Sequence, residues 1–379
     1  MKKRVLMVSV EMPPQVGGAG IVGYRTAQTI SEFGFDVTVL TEARNAQFLE
    51  GDSSLKASVI GVKTTKLLRP YQLWAAIRKW WDQYDLVVLN DGVAKRFGAY
   101  CLNSTQLAKC VVYLHGQEGP DILGNPSLKL RIGGYRKRFV QLMNRCQEVV
   151  AVSHYMRSEI LDFDCCASLE SKISVVYSGF DSNMFCPTES SLRSRLGIPN
   201  EADVLISVSR IVERKGYGRM LRLFGELCEM GESYHWVVVG DGAYLKTLKE
   251  GVQALGITSK VHFVGSYPQE DLASLLSGAD VFWLLTEFQE SLGNVYFEAN
   301  ACGLPTIGPP NGGVVEAIEH GVSGYLVACD SDCLSVLRNR SWRQIQPWSA
   351  PFRAHLGRFS VRDNLLNARF MKRLMRGKD

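Results

Sequence analysis

Two glutamates, Glu290 and Glu298, stand eight positions apart in residues 287–313, EFQESLGNVYFEANACGLPTIGPPNGG, and a glycine pair, Gly312 and Gly313, closes the stretch. An ionised carboxylate accepts two hydrogen bonds at once, which suits the vicinal diols of a sugar. Between the glutamates, Ser291, Leu292, Gly293 and Asn294 form the predicted start of a helix. Free backbone N–H groups and the helix dipole there favour an anion such as a diphosphate. Gly293 would let that anion approach the backbone closely. In one helix, eight residues would set the carboxylates roughly 80° apart. With Glu290 in the loop ahead of the helix, both can face the same ligand. An isolated pair of this kind reads better as a helix cap and a solvated face, so the context has to decide.

A second group lies in 207–216, SVSRIVERKG, where Arg210 ends a predicted strand and Lys215 follows before Gly216. Two cations at a strand's carboxyl end would neutralise a pyrophosphate leaving group. Arg214 is read as a bystander. In 13–20, PPQVGGAG, Gly17 and Gly18 sit at a strand-to-helix turn whose amides suit phosphate or sugar. The spacing is not that of a dinucleotide fingerprint, and the next strand ends at Thr41 rather than at an acid, which argues against a nicotinamide enzyme. His115 follows another strand in 112–118, VYLHGQE. By itself it reads as a structural hydrogen-bonder. Ten cysteines are scattered without a CxxC pair and read as reduced thiols. Cys329, Cys333, His320 and His355 match no usual zinc spacing, so no metal site is expected.

These residues need a scaffold, and the apolar pattern supplies one. Thirteen short Val/Ile/Leu-rich runs, seven before residue 180 and six after 203, alternate with helix-length segments. The runs are continuous rather than alternating, as in strands covered on both faces. The expected fold is α/β, with two Rossmann-like, doubly wound parallel-sheet domains facing a central cleft. A chain of 379 residues exceeds what one core usually holds. The polar stretch 186–203 reads as the linker. The expected extents are 1–186, 187–355, and a final helix in 356–379 that returns to the first domain. Ligands of open α/β sheets bind at the carboxyl ends of the strands, where every candidate above falls. The formal charge of +5 is too mild for a nucleic-acid partner. The apolar run from Val5 to Val10 is short for a secretory signal, so a cytoplasmic protein is expected.

The order of these motifs resembles that of the GT-B glycosyltransferases, specifically the retaining family 4 enzymes. The hallmark reads here as Glu290, Glu298, Ala299, Ala301, Gly303, Pro305, Gly312, Gly313 and Glu316, and the resemblance runs from Lys3 to about Val327. It implies a nucleotide-diphosphate sugar as donor and a glycan or lipid-linked acceptor, in surface polysaccharide synthesis. It also implies retention of anomeric configuration and no metal or other cofactor. Glu290 would contact the donor sugar, Glu298 the ribose hydroxyls, and the amides near Leu292 and Gly293 the phosphates. Arg210 and Lys215 would neutralise the diphosphate, and His115 would lie beside the donor hexose. Gly17 and Gly18 would face the reactants, and the base would rest near Val264 and Tyr267. Leu292 and Asn300 stand where the family more often has Phe and Met. A nucleotide-sugar epimerase on the same fold is the rival reading. Basic–aromatic stretches at 69–81, with Trp74, Trp80 and Trp81, and at 131–145 suit an anionic membrane surface at the inner face of the membrane, and equally suit tryptophans packed in the core beneath solvated cations.

Overall fold

The computed structural model describes residues 2–14, 17–116 and 118–376. The chain forms two compact units, Met1–Gly179 with Val361–Asp379, and Phe180–Ser360.

Seven parallel strands build the first unit: β1 (Arg4–Val8), β2 (Asp36–Glu42), β3 (Ser58–Val62), β4 (Leu86–Leu89), β5 (Cys110–Leu114), β6 (Glu148–Ala151) and β7 (Ile173–Val175). Their order is β3-β2-β1-β4-β5-β6-β7. β2 runs one residue past Thr41 and ends at the buried acid Glu42, contrary to the expectation from sequence; Glu42 is held by Arg44 and Arg69. Side chains alternate between the faces of a strand, and here both faces are apolar. Leu6, Val8, Val87, Leu89 and Val112 belong to one buried cluster, and Val5, Met7, Val37, Val88 and Val111 to another. That double cover explains why the sequence shows unbroken apolar runs.

The second cluster is completed by the C-terminal segment, whose Val361, Leu365, Phe370, Met371 and Leu374 are buried against it. Burial of side chains this size is worth about 1.5–3 kcal/mol each. The segment forms two short helices, Val361–Asn367 and Arg369–Met375, rather than one. Ala368 between them is extended, with ψ 137°, so the hydrogen-bond ladder stops there.

The second unit has six parallel strands: β8 (Asp203–Val208), β9 (Tyr234–Val239), β10 (Val261–Gly265), β11 (Val281–Trp283), β12 (Thr306–Gly308) and β13 (Gly324–Leu326). The order is β10-β9-β8-β11-β12-β13. Residues 186–203 pack within this unit. Leu192 is buried, and Arg193 pairs with Asp280 at 2.5 Å. Each sheet reverses winding once, between β1 and β4 in the first unit and between β8 and β11 in the second. Such a switch point opens a crevice at the carboxyl ends of the two strands.

Candidate functional site

The β8/β11 switch point gathers most of the donor-side candidates. Arg210 follows β8; its side chain is exposed and makes no ion pair among the described residues. Lys215 ends a single 3₁₀ turn, Glu213–Lys215, and reaches across to Glu290, with Nζ 2.5 Å from Oε1. Both side chains are about five-sixths enclosed, at 16% and 15% exposure. The Thr286 hydroxyl lies 3.2 Å from the same carboxylate oxygen. Thr286 itself is buried at the end of β11.

The two loops are joined through backbone. The Glu287 amide and the Thr286 hydroxyl donate to the Arg214 carbonyl at 3.0 and 3.3 Å, while the Arg214 guanidinium lies over the Phe288 ring at 4.6 Å. Arg214 thus ties the Lys215 loop to the Glu290 loop, a structural part separate from the charge chemistry assigned to Arg210 and Lys215. Gly216 turns this corner at φ +75°, and a Cβ there would lie 1.9 Å from the Leu285 carbonyl oxygen. Gly216→Ala should lower stability by more than the ~1–3 kcal/mol of backbone strain alone, read as a lowered denaturation midpoint.

The glycine pair has the same purpose. A Cβ on Gly312 would approach the Glu290 carbonyl oxygen to 2.6 Å, and one on Gly313 the Ser291 carbonyl oxygen to 2.2 Å. The Gly313 amide donates to the Glu290 carbonyl at 2.7 Å. The turn at 310–313 thus lies directly against the backbone that carries Glu290.

Ser291 and Leu292 precede the helix instead of starting it. Gly293, at φ +84°, is the N-cap, and the helix runs Asn294–Ala301. A left-handed residue cannot continue an α-helix, which is why the start moves three residues along. The Leu292 side chain is in the core. Among the described residues the amides of Leu292 and Gly293 donate to no acceptor. Glu298 is buried, and its carboxylate takes a long hydrogen bond, 3.4 Å, from Gln269 just beyond β10. Val264 lies in β10, and Tyr267 follows it with its hydroxyl held by Arg195 at 2.7 Å. Thus one unit brings Arg210, Lys215, Glu290 and the open amides to one pair of loops, and sets Glu298 against the loop after β10.

The first unit arranges the others around the β1/β4 switch point. Asp91, buried at the end of β4, caps the helix Gly92–Cys101 through the amides of Val93 and Ala94. Its second oxygen accepts from the amides of Val10 and Glu11, so it fixes the start of the loop after β1. Residues 15 and 16 of that loop lie outside the described residues. Gly17 is the N-cap of the helix Gly18–Glu32 and offers no side-chain cap; Gly18 has no neighbour within 4 Å of where a Cβ would stand.

Asn90 donates through Nδ2 to the Ser9 hydroxyl and the Ala19 carbonyl at 2.9 and 2.8 Å. Its Oδ1 must then accept from His115 Nε2, 2.8 Å away. This fixes the Nε2–H tautomer and leaves Nδ1 as an acceptor. Behind His115, Lys95 and Glu118 form a buried ion pair, with Lys95 also donating to the Tyr113 carbonyl at 2.9 Å. Glu118 accepts from the amides of His115 and Gly116 at 3.2 and 2.8 Å. Burial and the nearby Lys95 ammonium depress the His115 pKa to about 3, against the pull of Glu118. Burial would raise the Glu118 carboxyl, but Lys95 and the surrounding donors bring it down to about 2.

His115 is therefore neutral at physiological pH. Its depressed folded pKa contributes stability that is complete above the unfolded value of about 6.5 and lost as pH falls toward 3. Denaturation at pH 7 and pH 4.5 should show a larger loss for wild type than for His115→Asn.

The sequence did not single out Asn90, Asp91, Lys95 or Thr286. The triplet Asn90, Asp91, Gly92 after a strand was a usable N-cap signal. A single lysine inside an apolar helix gives no such sign. Among the described residues no group of three or more His, Cys, Asp or Glu is placed to hold a metal ion. His355 and His320 have separate partners, the Ala317 carbonyl and the Leu326 amide.

A family model described as Glycosyl transferases group 1 matches residues 189–335, and one described as Glycosyltransferase Family 4 matches residues 16–183. The chain belongs to the group 1, family 4 glycosyltransferases. This glycosyltransferase is an enzyme of the hexosyltransferase type that uses a nucleotide sugar. It is 26% identical to the N-acetyl-alpha-D-glucosaminyl L-malate synthase of Bacillus anthracis over 332 residues, covering 85% of this chain and 83% of the relative. It is 25% identical to the GDP-mannose-dependent monoacylated alpha-(1-6)-phosphatidylinositol monomannoside mannosyltransferase of Corynebacterium glutamicum, covering 88% and 87%. Among solved structures, Anabaena Alr3699/HepE in complex with UDP and glucose superposes with a TM-score of 0.75 at 22% identity, covering 99% and 98% of the two chains. The glycosyltransferase has the GT-B fold.

Proposed function

We propose that this glycosyltransferase moves a hexose from a nucleotide-diphosphate sugar to a glycan or lipid-linked acceptor with retention of anomeric configuration. The observation that carries the reading is the cluster at the β8/β11 switch point, where Lys215 meets Glu290, open backbone amides follow Glu290 in its loop, and Arg210 stands in the loop that carries Lys215. A diphosphate would draw on the two cations and the amides of Leu292 and Gly293, and Glu290 would accept from hexose hydroxyls. Glu298 would accept from ribose. His115, neutral and with Nδ1 available, would accept from a hydroxyl of the hexose. In this reading the cations do the work for which other transferases use a metal ion.

Retention on one face follows a balanced exchange. The bond from the anomeric carbon to the phosphate oxygen breaks, and its electron pair stays on that oxygen. The acceptor oxygen bonds to the same face of the carbon and gives its proton to the departing phosphate oxygen. The phosphatidylinositol monomannoside in the name of the Corynebacterium relative supports a lipid-linked acceptor. On this reading the enzyme works in the cytoplasm at the inner face of a membrane, in surface polysaccharide synthesis.

The test is a thermal-shift panel of UDP, GDP, ADP and dTDP sugars, followed by turnover with the stabilising donor. Release of nucleoside diphosphate that requires an acceptor, gives a product with the donor's anomeric configuration, and is unaffected by EDTA supports the proposal. Conversion of the donor to its epimer without acceptor would replace it with the isomerase reading.

A further inference from the structure

We infer that the outer face of the first unit, built from residues 66–71, 96–100 and 128–138, is a docking surface for an anionic lipid bilayer. The inference deepens the membrane reading above by naming the surface and its partner. Binding is scored without turnover, so failure of this inference and failure of the transferase reading are seen separately.

The first observation is a charge asymmetry. Residues 53–147 contain fifteen Lys and Arg against five Asp and Glu, a net +10, with Lys95 and Glu118 among them forming the buried pair described above. The whole chain carries only +5, so the remainder is net acidic and the positive charge is concentrated here. The three segments that build the face are neighbours in space. Leu73, Ile77, Phe97, Tyr135 and Phe139 share one core. Cys101 Sγ donates to the Pro70 carbonyl at 3.5 Å, and the Tyr100 hydroxyl to the Gly133 carbonyl at 3.1 Å. Arg138 lies over the Tyr100 ring at 5.2 Å, and Tyr71 and Arg96 are within electrostatic reach of the same phenol.

The second observation is independent of charge. The five most exposed large apolar side chains among the described residues are Leu67 (85%), Ile132 (80%), Leu128 (69%), Leu68 (54%) and Tyr71 (53%). All five project from this one region, and Lys66, Lys129 and Arg131 stand among them, exposed as well. Aliphatic side chains ringed by cations match the boundary between acyl chains and anionic headgroups. A soluble polyanion would answer the cations and leave the leucines in water. No helix among the described residues is long and apolar enough to cross a membrane, so the surface would lie on the bilayer.

Of the tryptophans in 69–81, which the sequence left open as membrane anchors or core residues, the structure places two in or against the core. Trp81 is buried, and Trp74 packs against it and against Phe97, with ring centroids 5.5 and 6.2 Å away. The lipid-facing side chains are the aliphatics at 67–68, 128 and 132.

The experiment is co-sedimentation of the full chain with phosphatidylcholine vesicles, with and without about 30% phosphatidylglycerol. The expected result is binding to the anionic vesicles only, weakened when salt rises from about 0.1 to 0.5 M. The variant Leu67→Ser, Leu68→Ser, Leu128→Ser, Ile132→Ser changes only exposed positions, and its thermal midpoint checks the fold. It should bind anionic vesicles more than about tenfold more weakly. Equal binding to pure phosphatidylcholine would overturn the inference. So would unchanged binding by the folded variant, or heparin binding as tight as vesicle binding and insensitive to the four substitutions, which would assign the face to a soluble polyanion.

Discussion

Arg210→Ala should lower kcat/KM by roughly 10²–10³-fold while leaving the denaturation midpoint unchanged. The separation of the two effects is the point of the experiment. Arg210 is exposed and makes no ion pair among the described residues, so its removal breaks nothing that holds the fold. Its charge at the end of β8 is useful only when an anion arrives. A guanidinium aimed at a leaving diphosphate acts on charge that grows in the transition state, so most of the loss should fall on kcat. Lys215→Ala should behave differently. It loses the same kind of charge but also strips Glu290 of a partner 2.5 Å away in a largely enclosed position. A fall in both activity and stability is expected there. If Arg210→Ala keeps more than about half of wild-type turnover, the assignment of Arg210 to the leaving group is wrong.

The second large effect belongs to the buried pair in the first unit. Lys95→Met leaves the Glu118 carboxylate enclosed without its ammonium, and breaking a buried pair from one side costs about 3–5 kcal/mol. The Glu118 hydrogen bonds to the His115 and Gly116 amides would loosen with it. Adding Glu118→Gln removes the stranded charge and keeps an acceptor for those amides. The double variant should therefore recover most of the stability lost by Lys95→Met in urea denaturation. A double variant no more stable than the single one would show that the pair does not act as a unit. Because the Glu118 carboxyl is held at about 2, the pair stays ionised down to strongly acidic conditions, and its contribution declines only as pH falls below about 4.5 toward 2.

These two predictions differ in how visible they were beforehand. The strand pattern was legible because both sheets are covered on both faces, so each strand shows as an unbroken apolar run. Arg210, Lys215 and Glu290 could be placed at carboxyl ends of β8 and β11 for that reason alone. The helix start at 291 was misread because leucine at 292 looks like the first apolar turn. Only the backbone shows that Gly293 adopts a left-handed conformation and delays the helix to Asn294. The structural part of Arg214 was not legible because it comes from a main-chain carbonyl and a ring contact, which composition does not reveal. Lys95 was invisible for a related reason. Its partner lies on a different element, 23 positions later, and their meeting depends on how helix Gly92–Cys101 packs beside β5.

The first unit is discontinuous in the chain, and that has a consequence for how the protein is made. Val361, Leu365, Ala368, Phe370, Met371 and Leu374 complete a core whose remaining buried members, from Val5 to Val176, are translated far earlier. The nascent first unit must therefore wait, with one apolar face uncovered, while all of Phe180–Ser360 is synthesised. The second unit, continuous in sequence, is the one equipped to fold first. A stop codon after residue 360 would leave the later-synthesised unit whole and the earlier one with an apolar face uncovered.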